Sequence, residues 1–148
     1  RIGMNPSTPA KFGWGLIFAG LSFGVLLYAA ANTGEGIRVS VWWLVLAYFV
    51  LELGEMVLSP IGLSVVTTLS VPRVVGLMMG AWFLFSAFGE IIAGRFGTLA
   101  AMDPATPMPQ AIAIYGATFS TLMWVGLISG AVMLLLTPLL KKGMHGVL

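Results

Sequence analysis

Three carboxylates, Glu52, Glu55 and Glu90, lie inside long apolar stretches of this chain, where an ionised side chain is expensive. Two of them belong to the string "ELGEMVLSPIGLS", Glu52 to Ser64. Helical geometry puts Glu52, Glu55, Ser59 and Gly62 on one face, as a polar stripe. Glu55 falls near the middle of its apolar run, where a charge facing lipid costs at least roughly 2.5–3.5 kcal/mol. It is therefore expected to face protein or water, either as a functional group or as a buried, hydrogen-bonded structural one. Pro60 removes one backbone hydrogen bond, leaves the Met56 carbonyl in search of another partner and is expected to bend the helix below Glu55. A bend at that point predicts a moving part, and Pro60 is the candidate gating residue.

Trp82, Ser86 and Glu90 follow one another at intervals of four and share a face of the next apolar run. An aromatic side chain at helical spacing is commonly packing. A tryptophan, a hydroxyl and a carboxylate on one stripe form an amphipathic wall that lipid would not reward. Glu52 lies 11 residues from Val41, and Glu90 lies 11 residues from Ala101. If the two runs are antiparallel helices, both carboxylates lie about 16 Å below the outer ends. Glu52 and Glu90, or one of them with Arg95, are thus candidates for a buried proton or ion-pair cluster, because desolvation and like charge favour a protonated carboxyl. The alternative is that Arg95 snorkels outward and merely neutralises Glu90.

The elements that must hold these residues follow from composition. Of 148 residues, 59% are hydrophobic and 8% charged, far below the charged content of soluble domains. The mean hydropathy is +1.02. Four apolar runs, near 10–31, 41–69, 74–101 and 111–140, are each long enough to span a bilayer as a helix. No strand pattern competes, because the apolar residues run continuously instead of alternating. The expected class is an all-α integral membrane protein with four transmembrane helices. Turn chemistry in "NTGEG", Pro72 in "SVPR" and the proline-rich "MDPATPMPQ" separate the runs.

Charge sets a direction. Arg1 and Lys11 precede the first run, Arg73 lies between the second and third, and Lys141, Lys142 and His145 follow the fourth. The positive-inside rule makes that side cytoplasmic, with both chain ends there. Glu35, Arg38 and Asp103 occupy the opposite loops. The first run has full spanning length and lacks a cleavage pattern, so it reads as a membrane helix and not as a signal peptide. Four helices leave little room to enclose a pathway, and the chain is expected to be part of something larger.

Several chemistries find no support. Cysteine is absent and histidine occurs once, which excludes a conventional Cys/His zinc site. There is no phosphate-binding G-x-x-x-x-G-K-[ST] loop, and "LLKKGMHG" has the wrong spacing. No catalytic triad is visible. The basic residues flank the apolar runs and form no nucleic-acid stripe. "GLSFG", "GLMMG" and "GLISG" each fit G-x-x-x-G and are read as packing.

The string "GEMVLSPIGLSVVTTLSVPRVVGLMMGAWFLFSAFG", Gly54 to Gly89, resembles the tenth and eleventh helices of proton-dependent oligopeptide transporters, a branch of the major facilitator superfamily. The likeness rests on Glu55, Ser59-Pro60, Gly62-Leu63-Ser64, Pro72-Arg73, Gly76 to Gly80 and Trp82-Phe83-Leu84. "NPSTPAKFGWGL" resembles the loop entering the ninth helix. The resemblance makes the whole of 1–148 helices nine to twelve, part of the C-terminal six-helix bundle of a major facilitator fold. Its missing partners would be the N-terminal helices of the same transporter.

By that resemblance Glu55 meets a peptide's amino terminus in a central cavity, with Ser59 nearby, Trp82 as a cavity tryptophan and Ser86 as a cavity hydroxyl. The pairing is sensible, since a carboxylate suits an ammonium and an indole face attracts cations. Bending at Ser59-Pro60 suits alternating access. The implied function is proton-coupled symport of di- and tripeptides across a bacterial inner membrane, with protons as the coupling ion, no other cofactor and no enzymatic activity. The family's E-x-x-E-R coupling motif is missing from this stretch. Glu90 stands where an asparagine is more usual, and Thr68 where a basic residue is common. The alternatives are a facilitator for another small solute, a non-transporting membrane subunit packing through its acidic stripe, and a membrane enzyme whose catalytic groups lie elsewhere.

Overall fold

The computed structural model describes residues 6–32, 39–99, 101, 103 and 105–143. Four long α-helices carry the chain: α1 (Thr8–Ala31), α2 (Val41–Leu69), α3 (Val75–Leu99) and α4 (Met108–Gly143), with a 3-10 turn at Pro72–Val74 before α3. All four helical stretches are long and apolar enough to cross a membrane. Arg1, Glu35, Arg38 and His145, used above for sidedness, lie outside the described residues.

Element ends differ from expectation at the prolines. α4 was expected over 111–140 and runs from Met108 to Gly143. Pro109 sits in its first turn, where no backbone N–H needs a partner, so it can open the helix. The preceding segment is a side-chain-supported turn in which Asp103 Oδ1 accepts from the Ala105 N–H at 2.8 Å and the Asp103 carbonyl accepts from Thr106 N–H at 2.9 Å. Pro138 lies within α4. α3 was expected over 74–101 and instead begins at Val75 and ends at Leu99.

α1 is the central helix because small residues line two opposite sides of it. Gly15, Ser22 and Ala29, seven apart, are buried. A Cβ on Gly15 would lie 2.5 Å from Leu58 Cγ of α2. Gly13 and Gly20, also seven apart and buried, point about 140–200° away from that row, toward α4. There the backbones touch. A Cβ on Gly126 would lie 2.6 Å from Gly20 Cα, and one on Gly130 would lie 2.8 Å from the Gly13 carbonyl oxygen. "GLISG" (126–130) and "GLSFG" (20–24) therefore pack in the manner expected of G-x-x-x-G, allowing two helix backbones to approach without intervening side chains. "GLMMG" (76–80) does not: a Cβ at Gly76 or Gly80 meets nothing within 4 Å among the described residues.

These contacts make α1 antiparallel to both α2 and α4, and they bring Lys11, Arg73, Lys141 and Lys142 to one end of the bundle. α3 is the outlying helix. None of its apolar span is buried; it meets the rest through α2, through the side chain of Trp82 and at Phe96, which lines a small cavity with Ala117, Thr118 and Thr121 of α4.

Candidate functional site

α2 presents two unlike faces. Ala47, Gly54 and Gly62 are its buried residues. A Cβ on Gly54 would lie 2.8 Å from the Gly15 carbonyl oxygen and 3.0 Å from Phe18 Cβ, so this side is pressed against α1. Counting around the helix from Gly54, Glu55, Ser59 and Glu52 fall about 100°, 140° and 160° away. All three are exposed in this chain. The polar residues of the stripe thus look away from α1, whereas its fourth member, Gly62, is buried; the two carboxylates are not buried structural groups within these four helices.

Among the described residues, Glu52 and Glu55 accept no hydrogen bond and enter no ion pair, and the Ser59 hydroxyl has no partner. Three hydroxyls further along, those of Thr67, Thr68 and Ser70, are committed to the α2 backbone. Thr67 Oγ1 donates to the Ser64 carbonyl at 2.9 Å, Thr68 Oγ1 donates to the same carbonyl at 2.7 Å, and Ser70 Oγ donates to the Val66 carbonyl. Such bonds to carbonyls of the preceding turn hold each hydroxyl proton within the helix. Pro60 lies inside α2 and is exposed on the turn that follows Ser59.

Trp82 of α3 is the sequence-predicted residue that the fold brings to the stripe. Its indole covers Gly62 so closely that a Cβ there would collide with the ring edge. Phe12 of α1 meets the same ring edge on, with centroids 6.5 Å apart and planes at 80°. This is the arrangement the quadrupoles of two aromatic rings favour. Ser86 is exposed one turn on, with its hydroxyl donating to the Trp82 carbonyl at 3.1 Å.

The Gly62–Trp82 contact fixes the register of α2 and α3. Glu52 stands ten residues above Gly62, and Glu90 stands eight above Trp82, so their rises are about 15 Å and 12 Å. The two carboxylates share a level to within about 3 Å along the helices. They are not joined: Glu52, Glu90 and Arg95 are exposed, and no ion pair links them among the described residues. Sequence reasoning missed the part played by Phe12. A glycine on an otherwise polar face was the available signal, since it marks a place where another group approaches the backbone.

No group of three or more His, Cys, Asp or Glu able to hold a metal occurs among the described residues. The open polar wall on helices of spanning length defines a multi-pass helical membrane protein. The chain belongs to the POT family, whose model matches residues 1–115. It is 38% identical over 144 residues to the uncharacterized transporter YclF of Bacillus subtilis, covering 97% of this chain and 27% of that protein. It is 34% identical over 144 residues to the dipeptide and tripeptide permease A of Yersinia pestis, covering 96% and 29%. With the peptide transporter YePEPT of Yersinia enterocolitica the identity is 38% over 112 residues, covering 74% of this chain and 22% of that one. The chain spans between about a fifth and three tenths of the length of these relatives, which are named as transporters and a permease, not as enzymes.

Proposed function

We propose that the protein to which this chain belongs carries di- and tripeptides across a bacterial inner membrane in symport with protons, and that this chain supplies part of the C-terminal half of its binding cavity. The observation that carries the reading is the open face of α2, where Glu55 and Ser59 stand without partners among the described residues, on the helix whose Gly62 backbone the Trp82 indole covers. Membership of the POT family and the names of the permeases similar to it support the substrate class.

In this reading the Glu55 carboxylate accepts charge-assisted hydrogen bonds from the peptide's α-ammonium, and Ser59 supplies a neighbouring hydroxyl. Trp82 packs against the peptide independently of its side chains and adds cation attraction. Ser86 lines the same wall one turn on. Pro60 lets α2 bend beside the site, so the wall can open toward one side and then the other. Glu52, Glu90 and Arg95 are a candidate proton or ion-pair cluster whose closure depends on helices outside this chain. Lys11, Arg73, Lys141 and Lys142 make their end of the bundle the cytoplasmic one.

The test is uptake by the full-length protein in liposomes. A labelled dipeptide is expected to accumulate under an inward proton gradient and to be displaced by unlabelled di- and tripeptides. Uptake of a sugar with none of the dipeptide would favour a facilitator for another solute, and no uptake of any solute would favour a non-transporting subunit.

A further inference from the structure

The outward face of α4 ends in a charge. Ile128, Val132, Leu135 and Leu139 are exposed, Leu135 at 78% and Leu139 at 65%, and exposed Lys142 follows at the same helical spacing. These residues lie about 160–240° round the helix from Gly126, on the side turned away from α1. From Ile128 to Leu139 the stripe rises about 16 Å, half the roughly 30 Å hydrocarbon core of a bilayer. It is one leaflet deep, and a cation closes it.

The foot of α4 stands beyond the helix it packs on. Gly130 meets the Gly13 carbonyl of antiparallel α1. Lys142 lies about 18 Å past Gly130, whereas Thr8, the first residue of α1, lies about 7.5 Å past Gly13. The lysine therefore stands about 10 Å beyond the start of α1, at the depth of lipid headgroups. Lys141 and Arg73 share that end, and Lys11 reaches toward it along its aliphatic stem. Two lysines fall short of the cluster of about four to eight cations that anionic lipid attracts, and the fold gathers four. None of the four enters an ion pair among the described residues. Glu55 and Glu90 stand about 21 Å or more along their helices from Leu69 and Val75, more than two Debye lengths at physiological ionic strength, and leave this charge uncompensated. We propose that α4 carries a site for an anionic phospholipid of the leaflet at this end, with an acyl chain along the Ile128–Leu139 stripe and the phosphate at Lys142. Lys141 and the field of Arg73 and Lys11 favour a negative headgroup there. The site does not depend on what the protein carries.

Native mass spectrometry of the full-length protein in detergent micelles, titrated with phosphatidylglycerol or with phosphatidylcholine of the same chains, reads the Kd of the first lipid bound. Phosphatidylglycerol is expected to bind the more tightly. K142Q is expected to weaken it about fivefold and K141Q/K142Q about 25-fold, while phosphatidylcholine changes little. K141R/K142R retains the charge and is expected to retain the preference. L135A/L139A shortens the stripe's side chains and is expected to weaken both lipids by a common factor. Inorganic phosphate is expected not to displace the lipid. Equal affinity for the two lipids in the unaltered protein, a preference that survives K141Q/K142Q, or binding untouched by L135A/L139A would each overturn the proposal. Displacement by inorganic phosphate would make the site one for a free anion and overturn it too. A helix from the rest of the protein seated on the stripe would show as L135A/L139A lowering the melting temperature equally with and without lipid, and that result would also sink it.

Discussion

Gly54 and Glu55 are adjacent in sequence and face opposite surroundings. Gly54 is buried against the Gly15 carbonyl of α1, while Glu55, about 100° further round the helix, is exposed. The glycine presses one side of α2 onto its neighbour, and this aims the carboxylate outward. The direction of Glu55 thus follows from backbone packing and needs no hydrogen bond to the side chain.

Replacing Glu55 by glutamine keeps the shape and removes the charge. A hydrogen bond to a charged group contributes about 1.5–3 kcal/mol, which corresponds to about a 10- to 100-fold loss of peptide affinity. Uptake of a labelled dipeptide at low concentration is expected to vanish in Glu55→Gln. Normal uptake by a folded variant would count against the assigned role.

The glycine contacts predict opposite outcomes at two G-x-x-x-G strings. Gly126→Ala places a methyl 2.6 Å from Gly20 Cα, and backbone cannot yield as a side-chain tip can. A destabilisation of about 1–3 kcal/mol is expected, typical of overpacking. Gly80→Ala meets nothing within 4 Å among the described residues and gains helix propensity. Its melting temperature in detergent is expected to equal or exceed that of the unaltered protein. A marked fall would identify a helix from the rest of the protein packed on that face.

Pro60→Ala restores an N–H that can donate to the Met56 carbonyl, worth about 0.5–1.5 kcal/mol net. A stiffer α2 should raise the melting temperature and lower Vmax for uptake. If both quantities stay where they were, α2 does not bend at this position during transport.

Glu90 shares a level with Glu52 and has no ion-pair partner among the described residues. If it loads a proton in the whole protein, Glu90→Gln shifts the pH profile of uptake, because glutamine cannot titrate. An unchanged profile removes Glu90 from proton coupling and leaves it a solvated carboxylate.

The helices were legible because unbroken apolar runs of spanning length admit few other structures in a bilayer. Their ends were less so. Proline was read as a stop at "MDPATPMPQ", whereas Pro109 opens α4 from its first turn, where the missing N–H has no consequence. The Glu55–Ser59 face was legible from helical period, but its pairing with Trp82 depends on the register that the Gly62 contact fixes. Three G-x-x-x-G strings announced close approach, yet a small-residue pattern states only that a backbone is bare and not which helix arrives there. Two of them meet across α1 and α4, and the third is open in this chain. Phe12 gave no sign of its place, since one aromatic at the start of a span reads like any other.

Between α1 and α4 the chain has left nothing to give way. Gly20 rests on Gly126 and Gly13 on Gly130, backbone on backbone, so no rotamer change can absorb a slide of one helix along the other. The pair must travel as a single strut through any cycle the whole protein performs. α2 is pressed on α1 in the same way, Gly54 on the Gly15 carbonyl, so changes of shape fall first to α3, none of whose apolar span is buried.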